Sequence, residues 1–325
     1  MRPLFLALVA TSLIACGERP IGDPVDFSVP NGASFASVVD TLSDRGLIGP
    51  KKFFTLWARL KGADRQVRAG SYIIPEGASW TRILDDLTSG RVVTEPVTIP
   101  EGWTLAQMAP RLAAVSGIAP EDALGRLQSD SAHVEWGVPG PGLEGYLFPD
   151  TYRFADGAPF EEVVAAMVRG YHSFWTPERR AQLDSTGLSE RELVTLASIV
   201  QAEARVMSEM PRIASVYHNR VRDGWLLQAD PTVLYALGGP RPRLLFAAMD
   251  SVADHPYNTY TQAGLPPGPI GAPGAAALDA TLRPEVSDFY YFVVGAEGEH
   301  VFSRTLAEHN RAVAEYRRRR NNNGS

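Results

Sequence analysis

Ser189-Glu-Arg-Glu-Leu-Val-Thr-Leu-Ala-Ser-Ile-Val-Gln-Ala-Glu203 is the stretch on which the reading of the chain turns. Leu196, Ile199 and Val200 lie seven, four and three residues before Glu203, so all four side chains project to one side of a helix. Ser189 is placed to cap the first turn, and Glu192, three residues on, is placed to reach back to it in a capping box. Glu203 thus falls in line with the core-facing stripe. Desolvation disfavours the charged form of a carboxyl, so burial there raises the pKa and lets the group hold a proton near neutrality, as a general acid must. The local pattern leaves a second reading open: a Glu at a helix end with its head in solvent or paired with Arg205 or Arg212.

Outward from this helix, the chain of 325 residues is long enough for two domains. Hydrophobic residues make up 45% and charged residues 21%, the composition of a folded protein, and a net charge of −6 leaves no basic footprint for nucleic acid. Residues 1–16 begin with a short positive start, continue as an apolar run and end in small residues before the only cysteine. This is the pattern of an export signal. Leu13-Ile14-Ala15-Cys16 resembles the bacterial lipobox, and the apolar run is shorter than the ~20 residues that span a bilayer, which favours a lipid anchor at Cys16 over a single N-terminal transmembrane helix. With Cys16 so used, no thiol remains for a disulfide, a metal or a nucleophile. The expected location is the cell envelope, membrane-anchored, with the folded part outside the cytoplasm.

A strand-turn-helix pattern recurs in the N-terminal third: Val29-Pro-Asn-Gly-Ala-Ser34-Phe35, Ile74-Pro-Glu-Gly-Ala-Ser79-Trp80 and Ile99-Pro-Glu-Gly-Trp-Thr104-Leu105. Ser34, Ser79 and Thr104 are positioned to cap helices whose apolar faces follow. An amphipathic helix with Phe53, Phe54, Trp57 and Leu60 is expected over residues 51–61. This region resembles the LysM-like module of small carbohydrate-binding domains; a plain packing domain is the alternative. Beyond it, helices are expected at residues 105–114, 120–128, 159–174, 189–204 and 210–222, with strands at 92–99 and 289–294. The Gly- and Pro-rich run Leu265-Pro-Pro-Gly-Pro-Ile-Gly-Ala-Pro-Gly274 is too apolar and too rigid for a linker and reads as an ordered wall of a cleft.

Leu143-Glu-Gly-Tyr-Leu-Phe-Pro-Asp-Thr-Tyr152 places Glu144 among aromatics, a composition suited to stacking sugar rings and bonding their hydroxyls. Glu144 is the rival catalyst; its other reading is a carboxylate satisfied by backbone N–H groups of the preceding Gly-Pro-Gly turn. Gln228 and Asp230 precede Pro231 at a helix start, where Asp230 also reads as an N-cap. Tyr257 and Asn258 offer hydroxyl and amide groups on a loop. His218, His255, His300 and His309 contain no pair with His-rich metal spacing, so the sequence asks for neither metal nor cofactor, and His300 and His309 read as hydrogen-bonded structural residues. Ser198 lacks the Gly-x-Ser-x-Gly context of a nucleophile elbow.

Glu144-Gly-Tyr-Leu-Phe-Pro-Asp-Thr-Tyr, Ala197-Ser-Ile-Val-Gln-Ala-Glu-Ala, Val216-Tyr-His-Asn-Arg, Leu227-Gln-Ala-Asp-Pro-Thr, Pro256-Tyr-Asn-Thr-Tyr and Gly264-Leu-Pro-Pro-Gly-Pro-Ile, in this order, resemble the YceG-like family of endolytic murein transglycosylases. The resemblance continues through Tyr290-Tyr-Phe-Val-Val, Gly298-Glu-His-Val-Phe-Ser303 and Glu308-His-Asn310. Together with the readings above, it gives an expected α+β fold organised as an export signal at 1–16, a linker at 17–27, a small LysM-like module at 28–92, a larger mixed α+β catalytic domain at 93–316 and a flexible tail at 317–325. It further implies lytic cleavage of the β-1,4 bond between N-acetylmuramic acid and N-acetylglucosamine within peptidoglycan strands, leaving a 1,6-anhydromuramyl end and limiting strand elongation. Penicillin-binding proteins are the implied partners. Where the family's helix carries two Glu residues, this chain has Gln201 and Glu203, and Glu203 matches the position of the catalyst. Gln228, Asp230, Tyr257, Asn258 and Glu144 are the candidates for holding the sugars. A water-admitting muramidase using Glu144 or Asp230 as second carboxylate, and a non-catalytic glycan-binding lipoprotein, are the alternatives.

Overall fold

A computed structural model describes residues 23–90, 94–241, 244–295 and 298–322. The expected export signal, Cys16 and the first part of the linker lie outside the described residues. Among those that are described, no helix is long and apolar enough to cross a membrane. The protein is a mixed α+β structure with two compact units that divide between residues 93 and 94.

The first unit runs β1 (Pro24–Val29), α1 (Phe35–Asp44), α2 (Lys51–Leu60), β2 (Gly70–Pro75) and α3 (Trp80–Ser89). β1 and β2 pair antiparallel with Phe27 opposite Tyr72, and alternation sends Phe27, Val29, Tyr72 and Ile74 into the core while Ile73 stays exposed. The Ser34 and Ser79 side chains accept from the N–H groups of Ser37 and Arg82, capping α1 and α3 as their positions predict. Val38, Val39 and Leu42 of α1, Phe54 and Ala58 of α2, and Ile83, Leu84 and Leu87 of α3 close this core. Each fully buried aliphatic side chain contributes about 1.5–3 kcal/mol relative to exposure.

The second unit continues with β3 (Thr94–Thr98), α4 (Leu105–Ser116), α5 (Pro120–Gln128), α6 (Ala132–Trp136), β4 (Thr151–Ala155), α7 (Phe160–Phe174), α8 (Pro177–Thr186) and α9 (Glu190–Glu203). After these come α10 (Met210–Arg222), α11 (Asp230–Ala236), α12 (Phe246–Asp250), α13 (Ala275–Leu282), β5 (Tyr291–Val294), β6 (His300–Ser303) and α14 (Leu306–Asn322). Its strands form two antiparallel pairs, β3 with β4 and β5 with β6. Thr104 and Gln107 form a capping box at α4, and Ser189 and Glu192 form the expected one at α9. The tail expected at 317–325 differs: α14 runs on through Asn322, because nothing in residues 317–322 breaks a helix. Arg317, Arg318 and Arg319 on it are exposed.

α9 is buried on all sides from Leu193 to Val200, more completely than a one-sided stripe predicts. The reason is that it lies between two apolar clusters. Leu193, Val194 and Ala197 join the core built on α4, α5 and α7, whereas Leu196, Ile199 and Val200 join the one containing Ile213, Tyr217 and Ala277.

The segment 265–274 is an ordered wall laced to α9. Arg191 donates to the Pro267 carbonyl, Ser198 Oγ accepts from the Ile270 N–H at 3.0 Å, and Gln201 Oε1 accepts from the Gly274 N–H at 3.0 Å. The turn before α4 holds its other edge, with Gly102 N–H donating to Ala272 O at 2.7 Å and Ala272 N–H to Trp103 O at 2.9 Å. Approach is so close that a Cβ on Gly271, whose φ is +156°, would stand 2.6 Å from the Gly102 carbonyl oxygen. Gly145, at φ +83°, meets the ring of Pro269 in the same way. Gly271→Ala is expected to destabilise the protein by about 1–3 kcal/mol, seen as a lowered unfolding midpoint in denaturant, since both its dihedral and its contact are unfavourable to a side chain.

Candidate active site

Glu203 is the last residue of α9. Its carboxyl is partly buried and Oε1 accepts a 3.0 Å hydrogen bond from the hydroxyl of Tyr217 on α10, itself 1% exposed. The pKa of Glu203 is raised to about 7. Burial is the largest cause; the Tyr217 hydrogen bond opposes it, the negative charge of Asp230 adds to it, and Arg220 and Arg205 pull it back. The C-terminal end of a helix, where carbonyl dipoles point outward, also disfavours an anion. The group therefore exchanges its proton near neutral pH, with a donor already aimed at the oxygen that would carry charge after proton loss. The alternative pairing with Arg212 is not realised, because Arg212 bonds both oxygens of Glu285.

Asp230 begins α11 without capping it: no side-chain bond closes that end, and Oδ1 instead accepts from Tyr260 Oη at 2.6 Å. This corrects the N-cap reading. The preference for Ala229 as the cap position follows from Thr259, whose hydroxyl takes the Ala229 N–H and also meets Thr232. Gln228 is exposed and sits at φ +49°, the one non-glycine residue with positive φ among those described. Such strain clusters at functional sites, where the surrounding structure enforces it; here the Gln228 N–H is tied to the Thr259 carbonyl at 3.0 Å.

Glu144 lines a cleft of about 470 Å³ together with Gln107, Ala202, Pro231, Tyr235 and Ile270. Its two oxygens accept from the Leu105 N–H at 3.1 and 3.3 Å, and Oε2 accepts from Tyr235 Oη at 3.2 Å. The backbone donor thus lies at the start of α4 and not in the Gly-Pro-Gly turn, a correction that costs the residue nothing in satisfaction. Burial raises its pKa to about 7 against the lowering effect of these two bonds. The ring of Tyr257 packs at a tilt on that of Tyr235, the partner of Glu144, with centroids 4.9 Å apart. Asn258 does not face the cleft. Its amide donates to the Met249 and Val252 carbonyls and its oxygen accepts from the Tyr260 N–H, so it holds the loop's shape from within, 1% exposed.

Several residues that matter here stand in quoted motifs without a role that the sequence assigns them. Tyr217 and Arg220 belong to the Val216-Tyr-His-Asn-Arg block and share a face of α10 with Ile213 by the i, i+4, i+7 spacing. Tyr235 and Tyr260 reach their carboxylates across 91 and 30 residues. His300 is a structural residue as expected, bonded to Glu209 through Nδ1 at 2.8 Å. His309 differs: its Nδ1 is buried without a partner and its ring stacks on Tyr291, because flat ring packing and not a hydrogen bond holds it. A folded-state pKa of about 7 against an ordinary 4.5 means that Glu203 favours the folded state fully below pH 4.5, and that this contribution is lost as pH rises to about 7. Glu203→Gln is therefore expected to stabilise the protein at pH 8 by on the order of 1–2 kcal/mol, the shift being discounted for partial solvent access, and to leave stability at pH 4 nearly unchanged. Thermal unfolding at the two pH values checks this.

Comparison with known proteins identifies the family. The profile of the YceG-like family matches residues 27–315. An endolytic murein transglycosylase of Bacillus subtilis (strain 168) is 32% identical over 325 residues, spanning 95% of this chain and 89% of that protein. One from Streptococcus pneumoniae serotype 2 is 29% identical and aligns with 90% of this chain but 58% of its own length. The 2.6 Å crystal structure of a yceG-like protein from Listeria monocytogenes superimposes with a TM-score of 0.60 at 30% identity, covering 89% of this chain and 99% of that one. A match of the family profile over most of the sequence, with a relative 32% identical and a shared fold, makes this chain a member of the YceG-like family.

Proposed function

We propose that the protein is an endolytic murein transglycosylase that cleaves the β-1,4 bond between N-acetylmuramic acid and N-acetylglucosamine within peptidoglycan strands. The observation that carries the reading is Glu203: a single carboxyl with a pKa near 7, held by the Tyr217 hydroxyl at the end of a buried helix. In the first step the protonated Glu203 gives its proton to the glycosidic oxygen as the bond from C1 of the muramyl residue breaks. In the second, the resulting carboxylate takes the proton of the muramyl C6 hydroxyl as O6 bonds to C1. The proton returns to where it began, no water is consumed, and the product carries a 1,6-anhydro end. Tyr217 stabilises the carboxylate between the two steps.

A hydrolase using two carboxylates needs their pKa values driven apart, one acid and one base. Glu203 and Glu144 are both raised to about 7 by burial, so below that pH Glu144 does not supply the ionised base. This favours the one-acid route over a muramidase built on Glu144. Glu144, Gln228, Asp230 and Tyr257 are the groups proposed to hold the sugars, with Asn258 shaping the loop that presents Tyr257 and Tyr260. The N-terminal unit is proposed as a LysM-like glycan-binding module, in keeping with its strand-turn-helix units and its Trp57 and Trp80 rings 5.9 Å apart. Anchoring through Cys16 and contact with penicillin-binding proteins complete the reading.

Mass spectrometry of products released from purified peptidoglycan tests it. Anhydromuramyl ends are expected from the parent protein, falling by at least about 10²–10⁴-fold in Glu203→Gln; hydrated reducing ends would replace the transglycosylase by a muramidase, and sedimentation with the sacculus without products would leave a binding protein. The pH profile gives a sharper check, because kcat/KM is expected to decline as pH rises through about 7. Asp230→Asn removes a charge that raises the Glu203 pKa and moves this limb to lower pH, while Tyr217→Phe removes a bond that lowers it and moves the limb higher. Shifts in the same direction would refute the electrostatic assignment.

A further inference from the structure

Trp225 is an exposed aromatic of the second unit that the proposed reaction does not use. It lies in the turn between α10 and α11, three residues before the strained Gln228, and is 42% exposed where a large apolar ring would ordinarily be covered. It is not a loose side chain. Its backbone N–H is fixed to the Arg220 carbonyl at 2.8 Å, its ring packs on Tyr290 with centroids 4.9 Å apart, and Tyr291 meets it edge-on at 5.9 Å. Beside this platform the Tyr290 hydroxyl, Asp223 and Arg222 form one hydrogen-bonded set, so donors and acceptors border an open aromatic face. The platform is tied mechanically to the catalytic cluster. Arg220 donates from Nε to the Tyr290 carbonyl and from Nη1 to the Leu227 carbonyl, and the same guanidinium acts on the charge of Glu203.

A rigid, exposed ring rimmed by polar groups matches the chemistry of a pyranose, whose axial C–H faces stack on aromatics while its hydroxyls bond to the rim. We propose that Trp225, backed by Tyr290, is a distal subsite that stacks a hexosamine ring of the glycan strand, at least one ring removed from the bond that Glu203 cleaves. This inference rests on the glycan-cleaving reading of the site. It explains why a surface tryptophan is held on the arginine that ties α10 to the Leu227 and Tyr290 carbonyls, and it gives an enzyme that cuts inside strands a second hold on its substrate.

The experiment uses the full chain in detergent, with uncrosslinked glycan strands of graded length. In the Glu203→Gln background, where binding is read without turnover, Trp225→Ala is expected to weaken affinity for long strands roughly fivefold to tenfold. In the otherwise unaltered enzyme the same change is expected to raise KM much more than it lowers kcat, with a penalty that grows with strand length. Trp225→Phe, which keeps an aromatic face, is expected to recover most of the loss. A loss that is the same at every length, a fall in kcat alone, or no recovery by Trp225→Phe would overturn the subsite. Because binding is measured separately from product formation, glycan affinity that depends on Trp225 in a protein that makes no anhydro ends would sink the catalytic reading and keep the subsite, and the converse result would do the opposite.

Discussion

Burial of α9 between two apolar clusters is the constraint from which the rest of the second unit follows. A helix with solvent on one side can rock and slide, whereas one packed on both has its rotation and its end point fixed by close contact. Six apolar residues between Leu193 and Val200 have no exposed surface, and the two side chains of this run that carry hydroxyls, Thr195 and Ser198, bond to carbonyls of the preceding turn. The helix is therefore a rigid strut whose last residue is Glu203. Its carboxyl is held in place by the body of the helix as well as by its own partner, which is what a group that must meet one oxygen and then another requires.

The same strut organises the wall of the cleft. Arg191, Ser198 and Gln201 fall on one face of α9, and each engages a backbone group of the segment 265–274. Gln201 is an uncharged member of this set. Its amide oxygen accepts the Gly274 N–H, so the wall is held without placing another negative charge near Glu203. Burial, and not a neighbouring carboxylate on its own helix, is the main cause of the raised pKa of Glu203.

Two carboxyls occupy opposite electrostatic settings in this unit and reach the same state. Glu144 faces the amide end of α4, which favours an anion, while Glu203 sits at the carbonyl end of α9, which does not. Desolvation overrides the difference and raises both to about 7. Their duties are separated by what they touch: Glu144 is bonded to backbone and to Tyr235, joining α4 to α11 across the cleft, and Glu203 has one donor and an otherwise free oxygen.

Local order was legible from the chain itself. The capping box of α9, the Ser34, Ser79 and Thr104 caps, the extent of α5 and α10 and the ordered nature of residues 265–274 follow from side chains acting on backbone within a few residues, and such interactions are written in sequence spacing. The apolar phase of α9 likewise marked Glu203 as a carboxylate drawn toward the core. What remained hidden depends on groups far apart in the chain. Asn258 and Tyr257 are adjacent and equally polar in sequence, yet the carbonyls of Met249 and Val252 turn one inward while the other packs on the ring of Tyr235. Asp230 looked like a cap until Tyr260 claimed it, and the proton affinity of Glu203 rests on Tyr217, Asp230 and Arg220 arriving from other elements. The sequence by itself determined which segments fold and which carboxylate falls on the core-facing stripe of α9; only the tertiary structure decided what surrounds that carboxyl, because desolvation and hydrogen bonding depend on through-space distance and not on order along the chain.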